Sequence, residues 1–198
     1  MLQQFNASYW QNRYKVSQTG WDVAKITKPL QDYFDQLPDR QLQILIPGCG
    51  NAWEAEYLFN AGFRNIFVAD FAEAPLQHFA ARVPAFPKEQ LLHANFFELQ
   101  GQYDLLVEQT FFCSLDPNLR GAYAQKCAEL LRPGGKLVGL LFDTEFLQPG
   151  PPFGGSREEY RSYFAPYFEF VHYETAYNSI TPRQGKELFI CLQKPADR

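Results

Sequence analysis

The sequence predicts an α/β fold built on a mostly parallel, doubly wound sheet. Three observations predict it. From Leu42 onward, short apolar runs alternate with segments of helical spacing. The apolar runs are continuous, as in strands buried on both faces. The first run also ends in a glycine turn, Pro47-Gly48-Cys49-Gly50, that opens a helix. With 198 residues the chain is long enough for one well-buried domain and short for two. We therefore expect a single domain over residues 1–198.

Residues 1–26 are rich in Gln, Asn and aromatics, and Trp10 and Tyr14 share a face of a short helix at i, i+4. A clearer helix follows: Thr27 caps it, Pro29 suits its first turn, and Leu30, Tyr33, Phe34 and Leu37 repeat at helical spacing. Residues 42–47 read as the first strand. Residues 52–61 read as a helix that Gly62 ends. Strand 65–70, helix 73–83, a weaker strand at 90–94 and strand 103–109 come next. Residues 118–131 form a long amphipathic helix, stopped by Arg132-Pro133-Gly134-Gly135, and strand 136–142 follows. After a Pro- and Gly-rich loop, Ser156 and Glu159 form a capping box for one more helix. Residues 167–177 and 186–194 close the chain as strands. No helix separates those two, so they pair as antiparallel neighbours.

Hydrophobic residues make up 46% and charged residues 20%, an ordinary globular balance. The net charge is −4 and Lys and Arg are scattered, which excludes a basic surface for nucleic acid. No apolar run approaches the ~20 residues of a membrane span. Cys49, Cys113, Cys127 and Cys191 form no CxxC or CxH pair, so no metal is expected. With an N-terminus lacking an apolar signal core, they read as reduced thiols of a cytoplasmic protein, monomeric or weakly dimeric.

The sharpest local signal is the glycine turn together with Asp70. Glycines after a first strand let backbone approach a ligand closely. Asp70 ends the second strand 20 residues beyond Gly50, the spacing at which a carboxylate takes ribose hydroxyls. Taken alone, the turn is an ordinary strand–helix connection and Asp70 a helix cap. In combination and in this order, they point to a bound nucleoside. A dinucleotide site needs a third glycine, and Trp53 stands there. That disfavours a nicotinamide-dependent oxidoreductase.

Pro47-Gly48-Cys49-Gly50 resembles the first motif of class I S-adenosylmethionine (SAM)-dependent methyltransferases, and Leu130–Leu137 the turn before their fifth strand. Trp10, Trp21-Asp22, Phe111-Phe112-Cys113, Gly150-Pro151-Pro152-Phe153 and Thr181–Lys186 resemble the thiopurine and thiol/halide methyltransferases. The similarity runs from about Trp10 to Leu192. It implies a Rossmann-like, seven-stranded sheet with an antiparallel last strand, SAM as cofactor, S-adenosylhomocysteine as product, and a small-molecule acceptor. It also implies that residues 1–26 form a lid over SAM, and that Trp10, Tyr14, Trp21, Gly48, Gly50, Asp70, Asn95, Phe96 and Gln109 contact it. Arg120 matches an arginine that the thiopurine branch places near its substrate; its bland reading is a solvated or helix-pairing residue.

The chain departs from the plant thiol/halide branch. That branch has a third Trp in place of Tyr14, an acid and Val in place of Asn95-Phe96, and Tyr in place of both Gln109 and Phe142. These changes weigh against halide transfer. Glu108, Gln109 and Thr110 fall where substrate-facing polar groups occur in such folds, and they do not form the motif of amino-group methyltransferases. We expect Phe112, Phe142, Phe153 and Arg120 around the acceptor, and a thiol as the methyl acceptor. Halide methylation, nicotinamide-dependent oxidoreduction and non-catalytic SAM binding are the competing readings.

Overall fold

The computed structural model describes residues 5–196. Residues 1–4 and 197–198, part of the expected domain and in the first case of the expected lid, lie outside the described residues. The order is α1 (Ala7–Lys15), α2 (Lys28–Asp35), β1 (Ile44–Pro47), α3 (Trp53–Asn60), β2 (Ile66–Asp70), α4 (Glu73–Arg82), β3 (Leu91–His93), β4 (Tyr103–Gln109), α5 (Arg120–Leu130), β5 (Leu131–Phe142), α6 (Arg157–Phe164), β6 (Glu169–Thr175) and β7 (Glu187–Gln193).

The strands form one seven-stranded sheet in the order β3-β2-β1-β4-β5-β7-β6. β7 is antiparallel to both its neighbours, and the other pairings are parallel. The two closing strands pair as their helix-free connection requires. Each central strand feeds both faces. Ile44 and Ile46 join one apolar cluster with Leu30, Phe34, Leu58 and Phe79. Leu45 joins the other with Leu106, Phe112, Tyr123 and Phe164. That is why β1 is buried at all four positions and reads as an uninterrupted apolar run. From β1 the chain winds outward through β2 to β3, then crosses back to β4 on the other side. The reversal opens a crevice above the carboxyl ends of β1 and β4.

Three local expectations need correction. β5 starts at Leu131 rather than 136, because Arg132-Pro133-Gly134-Gly135 is a bulge inside the strand: pairing jumps from Tyr103↔Leu131 to Leu105↔Lys136. Arg132 grips both carboxylate oxygens of Asp104 at 2.7 and 2.9 Å across that bulge. Thr27 makes no capping bond to α2; its hydroxyl donates to Gln109 Oε1 at 3.3 Å. The capping box at α6 is half formed. Ser156 Oγ accepts the Glu159 N–H at 3.2 Å, but the Glu159 carboxylate is drawn to Arg120.

Candidate active site

The loop after β1 carries the geometry of the site. Gly48 and Gly50 adopt left-handed conformations, φ 57° and 51°. A Cβ on Gly48 would overlap the Phe111 ring, and one on Gly50 would lie 2.8 Å from the Tyr14 hydroxyl. Both positions therefore need glycine on two counts, and the turn presses backbone against the crevice.

Asp70 ends β2 beside that turn. Its carboxylate accepts the Gly50 N–H at 3.2 Å and the Ala72 N–H at 2.9 Å. Burial pushes its carboxyl up to about 6, with those N–H groups pulling the other way. Two oxygens accepting one bond each leave lone pairs for further donors.

The crevice is a cavity of about 770 Å³. Trp10, Tyr14 and Trp21 line it from the N-terminal segment, and Gly48, Gly50 and Asp70 from the first two strand ends. Asn95 and Phe96 line it from the loop after β3, and Gln109 from the end of β4. Residues drawn from five separate stretches of chain thus meet on one cavity. Asn95 caps the short turn 96–98 by accepting the Phe97 N–H at 3.2 Å. Trp10 and Trp21 meet edge to face, ring centroids 5.3 Å apart, with Tyr14 on Trp21 at 5.8 Å. Burial, then the Asp70 charge, pushes the Tyr14 phenol far up, so it stays a neutral donor.

The four candidates for the acceptor pocket separate. Phe142 lines the cavity, packed on Phe146 at 5.0 Å. Phe112 does not: it is 1% exposed and packs in the core against Tyr123, Tyr160 and Phe164. Its neighbour Phe111 faces the cavity instead. Phe153 lies outside, against Phe5 at 5.6 Å, in a shallower groove that α1 shares with the Pro-Gly loop. Pro151 and Pro152 of that loop reach the main cavity.

Arg120 is buried at 2% exposure and lines neither. It pairs with Glu159 at 2.7 Å and donates to the Gly154 carbonyl at 2.8 Å, pinning the loop to α6. Glu108 is likewise internal. It accepts the Phe111 and Phe112 N–H groups at 2.8 and 2.9 Å and the Tyr123 hydroxyl at 2.7 Å. It thereby fixes the turn that aims Phe111 at the cavity.

Several contributors escaped the sequence reading. Asp22 accepts from Asn51 Nδ2 and from Trp53 Nε1 at 2.8 Å, tying the N-terminal segment to the glycine turn and to α3. Trp53, the residue that breaks the dinucleotide fingerprint, is thus half of a clasp. Arg183 donates to the Trp21 carbonyl at 2.6 Å from the far end of the chain. Asp22 and Arg183 both lie inside motifs that carry the family resemblance, which was the available signal. Glu54 had none. Cys49 and Cys113 line the cavity, but burial pushes both thiols far up, so neither is an available nucleophile. Among the described residues, no three His, Cys, Asp or Glu side chains group as metal ligands, and no helix is long and apolar enough to cross a membrane.

Comparison with known proteins agrees with this geometry. The family described as "Thiopurine S-methyltransferase (TPMT)" matches residues 5–194. A probable thiol methyltransferase 2 of Arabidopsis thaliana is 26% identical over 195 residues, covering 94% of this chain and 85% of that protein. A thiopurine S-methyltransferase of Vibrio cholerae serotype O1 (strain M66-2) is 25% identical over 175 residues, covering 79% of each. The same fold occurs in a Burkholderia thailandensis 1,6-didemethyltoxoflavin-N1-methyltransferase solved with S-adenosylhomocysteine. There the TM-score is 0.74 at 18% identity, over 96% of this chain and 87% of that one. Glycine turn, cavity-facing carboxylate, aromatic N-terminal segment and a family match over nearly the whole chain converge: the chain belongs to the thiopurine S-methyltransferase family of SAM-dependent methyltransferases.

Proposed function

We propose that the protein methylates the sulfur of a small, apolar thiol, aromatic and heterocyclic thiols included. The observation that carries this is the lining of the cavity, which brings the polar groups of Asp70, Gly50 and Asn95 together with the apolar surfaces of Phe111, Phe142, Phe146, Pro151 and Pro152. SAM fits the donor set. Asp70 has lone pairs left for a ribose diol. Tyr14, Gly48, Phe96 and Gln109 line the same cavity, and Trp10 and Trp21 offer ring surface to a sulfonium, an attraction worth roughly 0.5–2 kcal/mol.

When bound, SAM supplies an electrophilic methyl group on a sulfonium sulfur. The chain's own residues hold the acceptor in line with that carbon and exclude water, and orientation of this kind is worth roughly 7–11 kcal/mol. Residues 5–22 act as the lid. No histidine lines the cavity among the described residues. A thiolate is a soft nucleophile and needs little acid–base help. Apolar walls favour a thiolate, which loses less hydration than an alkoxide or carboxylate. Phe142 offers no hydroxyl to orient a halide, which makes halide the weaker acceptor. The buried, unpaired cysteines accord with a cytoplasmic setting.

The test is release of S-adenosylhomocysteine at saturating SAM from a panel of aromatic thiols, thiopurines, iodide and small amines. Thiols should turn over fastest. Turnover of amines or iodide with none of any thiol would overturn the acceptor and leave the family standing.

A further inference from the structure

Glu54 is a buried carboxylate on the cavity wall. It sits in the first turn of α3, is 5% exposed and lines the cavity. Among the described residues, no cation pairs with it and no donor from another residue reaches its carboxylate; its own backbone N–H is its one partner. A buried carboxylate is ordinarily paired or hydrogen-bonded, because burial costs its charge the hydration it had in water. The charges that face it are already committed. Asp22 is spent on Asn51 and Trp53. Arg183 is spent on the Trp21 carbonyl and on Glu187 at 3.4 Å. Glu54 therefore faces the cavity with no cation paired to it among the described residues, the nearby Arg183 being held by other partners.

We propose that Glu54 receives the α-ammonium group of SAM's amino-acid tail. The proposal rests on SAM occupying this cavity. Asp70 and Glu54 both lie near the Cys49 turn and line the same cavity: the Cys49 thiol, pushed up first by burial, is pushed further by both charges. With the ribose on Asp70, the tail that leaves the ribose through sulfur runs past that turn toward Glu54. The ammonium then replaces the water lost on burial, and the ion pair forms only when the cavity fills.

The test needs two ligands. S-adenosylhomocysteine has the tail; 5′-methylthioadenosine keeps the nucleoside and the thioether and lacks the tail. Both are titrated calorimetrically into wild type and Glu54→Gln. The substitution should weaken S-adenosylhomocysteine by about tenfold or more, as for a lost charge-assisted hydrogen bond. It should leave 5′-methylthioadenosine within about twofold. Equal losses on both ligands, or no loss on either, overturn the proposal. If wild type binds neither ligand, the SAM reading fails and takes the proposal with it.

Should Glu54→Gln not fold, wild type alone decides. Burial pushes the Glu54 carboxyl up to about 7, with Asp22 adding to that and Arg183 opposing it; the other titratable group facing it is the Cys49 thiol, itself held protonated. The affinity ratio of S-adenosylhomocysteine to 5′-methylthioadenosine should then fall as pH drops from 8 to 6. Asp70 faces the part common to both ligands, so its titration cancels in the ratio. A flat ratio overturns the proposal.

Discussion

The Asp70 carboxylate closes the glycine turn through the Gly50 N–H while facing the cavity. Asp70→Ala therefore removes the proposed ribose acceptor and a strut of the turn together. We predict that SAM binding weakens by about 1.5–3 kcal/mol, read by calorimetric titration, with circular dichroism retained because the sheet does not depend on this bond. Unchanged affinity would remove Asp70 from the site. The glycine turn and the cavity-lining Trp10, Tyr14, Trp21 and Phe142 were legible in the sequence, whereas Phe112 and Phe153 were misplaced. Which of two adjacent phenylalanines turns inward is set by packing on Tyr123 and Tyr160. Arg120 was not legible either. An arginine opening a helix reads the same whether it faces substrate or core, and its partners Glu159 and Gly154 lie more than 30 residues away. Its present position gives it an unambiguous test. Arg120→Ala leaves Glu159 unpaired and frees the Pro-Gly loop. A broken buried pair costs about 3–5 kcal/mol; Glu159 is 36% exposed and rehydrates, so about 2–3 kcal/mol is expected. Chemical denaturation should show that loss. A variant of unaltered stability with only a raised KM would return Arg120 to the substrate.

At the scale of elements, α1 and the segment behind it are held to the body by few bonds. Gln11 Oε1 accepts the Ala74 N–H at 3.0 Å, Asp22 clasps Asn51 and Trp53, and Arg183 holds the Trp21 carbonyl. Ser17 and Ala24, on either side of Trp21, adopt left-handed conformations at φ 55° and 56°, an unfavourable geometry for residues other than glycine. Sparse fastening of this kind marks a segment of low local stability. Asp22→Ala should raise amide exchange over residues 7–24 and weaken SAM binding about tenfold, with the sheet strands unchanged. Hydrogen exchange with and without SAM reads both effects. Protection of residues 7–24 that is indifferent to SAM would refute the lid. Sequence reading placed this helix correctly from the spacing of Trp10 and Tyr14. It could not find the clasp, because Asp22 and Trp53 come together only after α3 docks on the sheet. The β5 boundary shows the opposite failure. Arg132-Pro133-Gly134-Gly135 reads locally as a stop, yet strand pairing on both sides of it makes it a bulge.

Across the whole molecule, buried carboxyls set the response to pH. Burial pushes Glu54 and Glu108 up to about 7 and Asp70 up to about 6, whereas an unfolded chain titrates these types near about 4. Between about pH 4 and pH 7 the folded protein therefore binds more protons than the unfolded one, and linkage makes stability fall as pH rises through that window. The cost of ionising these groups is fully present above pH 7 and fades toward pH 4. The ligand reverses the dependence, because in the proposed site SAM needs both Asp70 and Glu54 ionised. Ligand-free protein should accordingly melt at a higher temperature at pH 5.5 than at pH 8, while SAM affinity runs the other way. Glu108 serves as the internal control. It lies off the cavity and binds Phe111, Phe112 and Tyr123, so Glu108→Gln should flatten part of the melting-temperature slope without altering how affinity depends on pH. Thermal melts and titrations across that range separate the two curves. Melting temperatures that rise with pH would mean that these carboxyls are ionised and stabilising in the fold. That outcome would remove the physical basis for a cavity that holds its negative charge in reserve for a cation.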